Sequence, residues 1–162
     1  MKKPVNLVLM AIFATLLILL AVQPYLTRRE PVQINKNLPT VKMKIGNRMF
    51  TLEVADTDET RETGLMNRES MAEDHGMIFV YDEDEPLNFW MKNTLIGLDI
   101  IYVNSKGKVV SIDRMKPRDT ITRHDSAAPA RYAIELNEGM AAKAGVKAGD
   151  VLEIPRLREG RK

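Results

Sequence analysis

No cysteine occurs among the 162 residues, which excludes a disulfide framework, a thiolate metal site and a cysteine nucleophile. Histidine is nearly as scarce. With only His75 and His124, a three-histidine zinc site is impossible, and a Ser-His-Asp triad would have to use one of these two. The chain has no Gly-rich phosphate loop, no metalloprotease motif, no internal repeat and no low-complexity block. A surplus of charge is missing as well, once the ends are separated. Residues 1–30 contribute Lys2, Lys3, Arg28 and Arg29 against Glu30, so 20 basic and 21 acidic residues remain beyond them. The formal net charge of +2 therefore comes from the N-terminal segment. A near-neutral body without a basic stripe gives no electrostatic reason to bind nucleic acid, and no such partner is expected. No cofactor is expected either. The lack of cysteine does not fix the compartment, because a domain of about 120 residues buries enough surface to fold without staples.

What the chain does have is one long apolar run. In Val5–Val22 only Asn6 and Thr15 are not apolar. As a helix at 1.5 Å per residue the run reaches about 27 Å, close to the roughly 30 Å hydrocarbon core of a bilayer. A secretory signal has a shorter apolar stretch and a small-x-small cleavage site. Here Leu19 spoils the site that Ala21 would offer. Residues 1–26 are accordingly read as a single-pass membrane anchor, with secretion after signal cleavage as the alternative. Two basic residues flank each side, so orientation rests on the added N-terminal amine, which favours the domain lying outside the cytoplasm, periplasmic or extracellular.

Residues 27–39 are polar, carry two prolines and read as a linker; residues 157–162 read as a basic tail. Between them, 40–156 is expected to be one β-rich domain. Thr40–Ile45 and Arg48–Ala55 alternate around Gly46-Asn47, a two-residue hairpin signal. Gly76–Tyr81, Leu87–Lys92, Leu98–Val103, Lys108–Met115, Arg131–Leu136 and Val151–Ile154 are further strand candidates. Thr57 is placed to cap a short helix ended by Gly64, and Glu138–Ala144 forms a second one closed by Gly145. The pattern predicts an α+β domain: a mostly antiparallel, barrel-like sheet with two short helices.

The densest segment is FWMKNTLIGLDIIYV, residues 89–103. Read as a strand, Phe89–Asn93 sets Phe89, Met91 and Asn93 on one face and Trp90 and Lys92 on the other. Asp99 shares a face with Ile101 and Val103, an unusual place for a carboxylate unless it has a partner or lines a wet cleft. One reading groups Trp90, Lys92, Asn93 and Asp99 around a pocket. The other pairs Asp99 with Arg68, Lys92 or backbone amides and makes Trp90 core. Arg61 and Arg68, seven apart, would share a helix face and clamp an anion, or lie on a solvated face. Glu135 shares a strand face with Arg131, opposite Tyr132, Ile134 and Leu136; with Asp99 it would make a carboxylate pair for hydrolysis, unless it is an ordinary outer-face acid. His124 and Ser126 lie in a polar stretch with no nucleophile context. The scattered methionines suit core filling better than a copper site.

The stretches VADTDETRETGLMNRESMAEDHGMIFVY, FWMKNTLIGLDIIYV and RYAIELNEGMAAKAGVKAGDVLEI together resemble domain-of-unknown-function family 192, an uncharacterised family of small bacterial and archaeal proteins, often exported. The resemblance covers roughly residues 40–155. Its pattern falls on Gly64, Leu65, Met66, Arg68, Gly76, Met77, Phe79, Trp90, Met91, Lys92, Asn93, Thr94, Leu98, Asp99, Ile100, Glu135, Gly139, Gly145, Gly149 and Asp150. Gly97 departs from the family's usual proline, which puts a rigid edge beside Asp99 in doubt. The resemblance implies a barrel-like domain and no substrate. The leading expectation is thus a membrane-anchored envelope protein whose domain binds a small polar ligand or an envelope polymer. A hydrolase using Asp99 and Glu135, and a structural or partner-binding accessory protein, are the alternatives.

Overall fold

The computed structural model describes residues 5–26 and 34–157, with the side chains of the first stretch described over 9–22. Lys2, Lys3, Arg28, Arg29, the 27–33 part of the expected linker and the 158–162 part of the expected tail lie outside the described residues.

The chain divides into two units, Met1–Val32 and Gln33–Lys162. The first holds helix α1, Val5–Leu26, of 22 residues. Its described side chains are exposed on every side, from Leu9 and Phe13 to Leu20 and Val22, so no buried stripe runs along it. Among the described residues no helix is long and apolar enough to cross a membrane.

The second unit is built on a six-stranded sheet. Strands β1 (Thr40–Ile45), β2 (Arg48–Ala55), β3 (His75–Glu85), β5 (Leu98–Val103), β6 (Val109–Met115) and β8 (Ala130–Asn137) lie in the order β1-β2-β3-β8-β5-β6. Strands β4 (Asn88–Phe89) and β7 (His124–Asp125) form a separate two-stranded ribbon. All neighbours in the large sheet are antiparallel except β2 and β3, which are parallel and need a crossover. That crossover, residues 56–74, carries helix α2 (Asp58–Thr63); a short α3 (Met140–Ala144) follows β8.

The domain is α+β and mostly antiparallel as expected, but the barrel-like shape is corrected to an open sheet with β1 and β6 at its ends. The reason is that both faces of the sheet are covered, so closure is not needed to bury apolar side chains. Every residue of β5 is buried. One face holds Leu52, Val54, Ile78, Ile101, Val103, Ile134 and Leu136 beneath Met140, Ala141 and Ala144 of α3 and Val146 and Leu152 of the C-terminal segment. The other holds Ala55, Met77, Phe79, Leu98, Ile100, Tyr102 and Ala133 beneath Leu65, Leu87 and Met91. Burial on this scale contributes roughly 1.5–3 kcal/mol for each large side chain.

Local chemistry sets the joints. Gly46 opens the β1–β2 turn at φ 57°, and a Cβ there would meet the Ala144 carbonyl oxygen at 2.0 Å. The next amide, Asn47 N, donates to that same oxygen at 2.9 Å, docking the turn on the end of α3. Thr57 caps α2: its hydroxyl accepts from Thr60 N at 3.2 Å while Thr60 Oγ1 accepts from Thr57 N at 3.0 Å, a capping box with threonine in the usual glutamate position. The described end of the expected linker is held to the domain, since Asn35 Nδ2 donates to the carbonyls of Thr60 and Gly64.

Two strand expectations change. Leu87–Lys92 shrinks to Asn88–Phe89, because Asn93 turns left-handed at φ 55° and its carbonyl takes a hydrogen bond from Asn67 N at 2.8 Å. Val151–Ile154 makes one isolated bridge, Val151 to Lys108, instead of a strand.

Candidate functional site

Strand pleating sorts the candidate carboxylates. Asp99 faces Leu136 across the β5–β8 ladder, and Ile100 faces Glu135. Paired residues share a side and successive ones alternate, so Asp99 and Glu135 lie on opposite faces of the sheet. They cannot converge on one bond. The hydrolase built on that pair is thereby excluded.

Asp99 is a structural residue. It is 3% exposed, and its Oδ2 accepts from Ala141 N, in the first turn of α3, at 2.9 Å. Gly139, at the N-cap position, has no side chain to do this, so the strand supplies the capping oxygen from outside. The more distant Arg114 Nε, 3.4 Å from Asp99 Oδ1, also lies 3.7 Å from Glu138 Oε1. Glu138 fills the space a side chain at Gly97 would take, its Oε2 lying 2.3 Å from where that Cβ would be. Backbone amide pairing was the correct expectation for Asp99; Arg68, Lys92 and a pocket with Trp90 were not.

The opposite face holds a different arrangement. Glu135 is 4% exposed and no hydrogen bond or ion pair reaches its carboxyl among the described residues. It lines a cavity of about 30 Å³ together with Arg61, Gly64, Met66, Phe79, Phe89, Trp90 and Thr94. A space of that size takes about two waters. Burial pushes the Glu135 carboxyl up from its ordinary 4.5 to about 8, the Arg68 guanidinium offsetting part of the rise. The expectation of an outer-face acid fails because this face, too, is roofed.

The roof comes from α2 and the segments after it and after β4. Gly64 ends α2 at φ 46°, and a Cβ on it would lie 3.4 Å from the Phe79 ring. Phe79 and Phe89 meet edge to face, centroids 4.9 Å apart at 84°, and Phe89 stacks likewise on Tyr102 at 5.9 Å. Trp90, expected in a strand or in the core, is 52% exposed. Lys92 is exposed, with its ammonium 5.7 Å from the Trp90 ring centre. Asn93 is exposed in the turn and does not line the cavity.

Neither arginine offers a clamp. Arg61 Nη1 donates to the carbonyls of Asp56 (3.0 Å) and Val80 (2.7 Å), while its Nη2 pairs with Asp58 at 2.5 Å. Arg68 lies beyond the end of α2 and pairs two-pronged with Glu53, at 2.5 and 2.7 Å. The shared helix face expected for them does not exist. Trp90, Arg61 and Glu135 are thus brought to one cavity, Lys92 and Arg68 sit beside it, and Asp99 belongs elsewhere.

Phe79, Phe89 and Thr94, with Glu62, Thr63 and Leu65, also line the cavity, and none of them is a ligand-binding candidate from the sequence. Alternation from Met77 would have placed Phe79 on the Glu135 face, since Met77 pairs with Glu135. His124 also departs from the exposed loop expected for it. It is 4% exposed, its Nδ1 lies 2.5 Å from Asp113 Oδ2, and its carbonyl accepts from Tyr102 Oη at 2.6 Å.

A family model described as DUF192, an uncharacterised ACR, matches residues 41–154. No curated protein matches the chain. Two crystal structures do. A Sinorhizobium meliloti protein provisionally described as a transcription regulator is 35% identical, with a TM-score of 0.66 over 75% of this chain and 96% of its own. A Novosphingobium aromaticivorans protein of unknown function is 32% identical, with a TM-score of 0.67 over 79% of this chain and 94% of its own.

Proposed function

The chain belongs to the uncharacterised DUF192 family, and from that premise we propose that its β-rich domain is a binding module, held at a membrane by α1 and facing away from the cytoplasm. The observation that carries the reading is Glu135: a buried, unpaired carboxyl at the wall of a cavity that reaches the exposed Trp90 ring. Burial disfavours the charged form of that carboxyl, a cost that a ligand's complementary group offsets. Small size and convergent polar and aromatic lining fit a protruding group of a small polar ligand or of an envelope polymer. Anchorage rests on the amino-acid sequence, in which Val5–Val22 is an apolar run broken only by Asn6 and Thr15. A nucleic-acid role, which the description of the Sinorhizobium protein would suggest, lacks the surplus of positive charge such binding draws on.

Trp90 is the sole tryptophan, so its emission reports on this site alone. Titrating the full-length protein in detergent with amines, amino acids, glycans and anions should change that emission for at least one class, and Glu135→Gln should weaken the response. No change across the panel would remove the binding reading.

A further inference from the structure

Resting on that binding reading, we propose that the group the cavity takes is an ammonium on a slender unbranched stem, as in a primary amine. The argument compares which charges around the cavity are engaged. Arg61 directs its guanidinium donors to the Asp56 and Val80 carbonyls and the Asp58 carboxylate. Arg68 has both terminal nitrogens on Glu53. The terminal nitrogens of both are thus engaged, and their one buried donor left without an acceptor among the described residues, Arg68 Nε, belongs to a residue outside the cavity lining. Glu135 is the reverse, an acceptor that no donor reaches among the described residues. The cavity lining therefore offers an unengaged carboxyl and no unengaged cation, the Lys92 ammonium lying outside it beside the Trp90 ring.

Its remaining walls suit the same guest. Phe79, Phe89 and Trp90 contribute rings to the lining, and ring faces attract cations where water is excluded. Trp90 already lies within reach of one cation, the Lys92 ammonium at 5.7 Å. The volume of about 30 Å³ suits a slender group such as an ammonium and its first methylene. The groups that bear on the charge balance are Arg61 and Glu62 from α2, Arg68 from the following segment, Tyr81 from β3, Tyr102 from β5 and Lys92 from the turn after β4. Arg68 opposes a cation most directly, and its bidentate partner Glu53 counters it.

Binding an ammonium requires Glu135 ionised, so uptake of the amine releases a proton. Below about pH 8 the affinity should rise up to tenfold per pH unit, levelling between there and the amine's own pKa near 10.4. The test titrates full-length protein in detergent with n-butylamine, 1-butanol and butyrate at pH 6, 7, 8 and 9, by calorimetry and Trp90 emission. Butylamine should bind, about ninefold more tightly at pH 7 than at pH 6 and about fivefold more at pH 8 than at pH 7, with the alcohol and the acid at least tenfold weaker. Glu135→Gln, close in shape to the wild type, should lose the pH dependence and most of the affinity; Trp90→Ala should weaken binding by at least several-fold. The wild-type pH series decides the matter even where a variant fails to fold. Tighter butyrate or butanol binding, or butylamine affinity that falls as pH rises to 8, overturns the ammonium assignment while leaving a binding module in place. Silence of every amine, alongside a response to another class in the wider panel, overturns it in the same way. Silence of every compound removes both.

Discussion

Asp99 and Ile100 are neighbours on β5, yet the carboxylate of Asp99 reaches the α3 side of the sheet while Glu135, directly across from Ile100, reaches the other. Both acids are buried to within 4% of completely. On the first face a backbone amide of α3 meets the carboxylate, and the acid joins a helix to a strand. On the second face no donor arrives and the carboxyl borders a cavity instead. The difference teaches that burial of a charge does not by itself identify a site. What separates scaffold from site here is whether the fold supplies the partner.

The comparison breaks most visibly through Asp99. Asp99→Ala should leave the Ala141 amide without its acceptor and cost about 2–4 kcal/mol, read as a lowered urea midpoint. A loss under about 0.5 kcal/mol would show that Asp99 does not hold α3. Glu135→Gln should act with the opposite sign, adding about 1–3 kcal/mol at pH 8 and little at pH 5. The sign follows from linkage. A folded-state pKa raised from 4.5 to about 8 leaves stability intact below 4.5 and removes it as pH rises towards 8, by at most about 1.4 kcal/mol per pH unit. Thermal melts across that range should decline for the wild type and flatten for the variant. Arg68→Met should sharpen the contrast. It removes the field that opposes the rise of Glu135, so an NMR titration of that carboxyl should move upward, with a stability loss of about 1 kcal/mol from stranding Glu53. Smallest in stability terms is Trp90→Ala, expected within about 0.5 kcal/mol because the ring is half exposed, so that any lost binding is not lost folding.

Much of the scaffold was legible beforehand. The alternation of Val41, Met43 and Ile45, the Gly46-Asn47 turn, the Thr57 cap and the Gly64 stop are local signals, and each is realised where those residues stand. Alternation also set Asp99 with Ile101 and Val103, and Glu135 with Arg131. What periodicity could not say is that both faces of the sheet are covered. An acid alternating with Ile134 and Leu136 reads as solvent-facing when one core is assumed, whereas the face that Glu135 shares with Ile100 and Ala133 is covered by a second core. The pairing of β2 with β3 is equally silent, since a parallel crossover depends on residues 56–74 folding over the sheet. Phe89–Asn93 looked like a strand because its residues favour one; the positive φ of Asn93 is a tertiary outcome, tied by the Asn67 amide. Trp90, Arg61 and Glu135 were all candidates, but which of them meet was written in topology.

The strand order has a consequence in time. Strand β8, residues 130–137, lies between β3 and β5, so β1-β2-β3 on one side and β5-β6 on the other share no ladder until it arrives. During synthesis the two halves can close their hairpins early, since those contacts are local, whereas the β3–β8 pair joins Gly76 to Leu136 and must wait for nearly the whole chain to emerge. The keystone of the sheet is thus its last strand. Until then both halves expose unpaired inner edges, and shortening the chain before residue 137 would leave two fragments competing for partners in place of a partly stable domain.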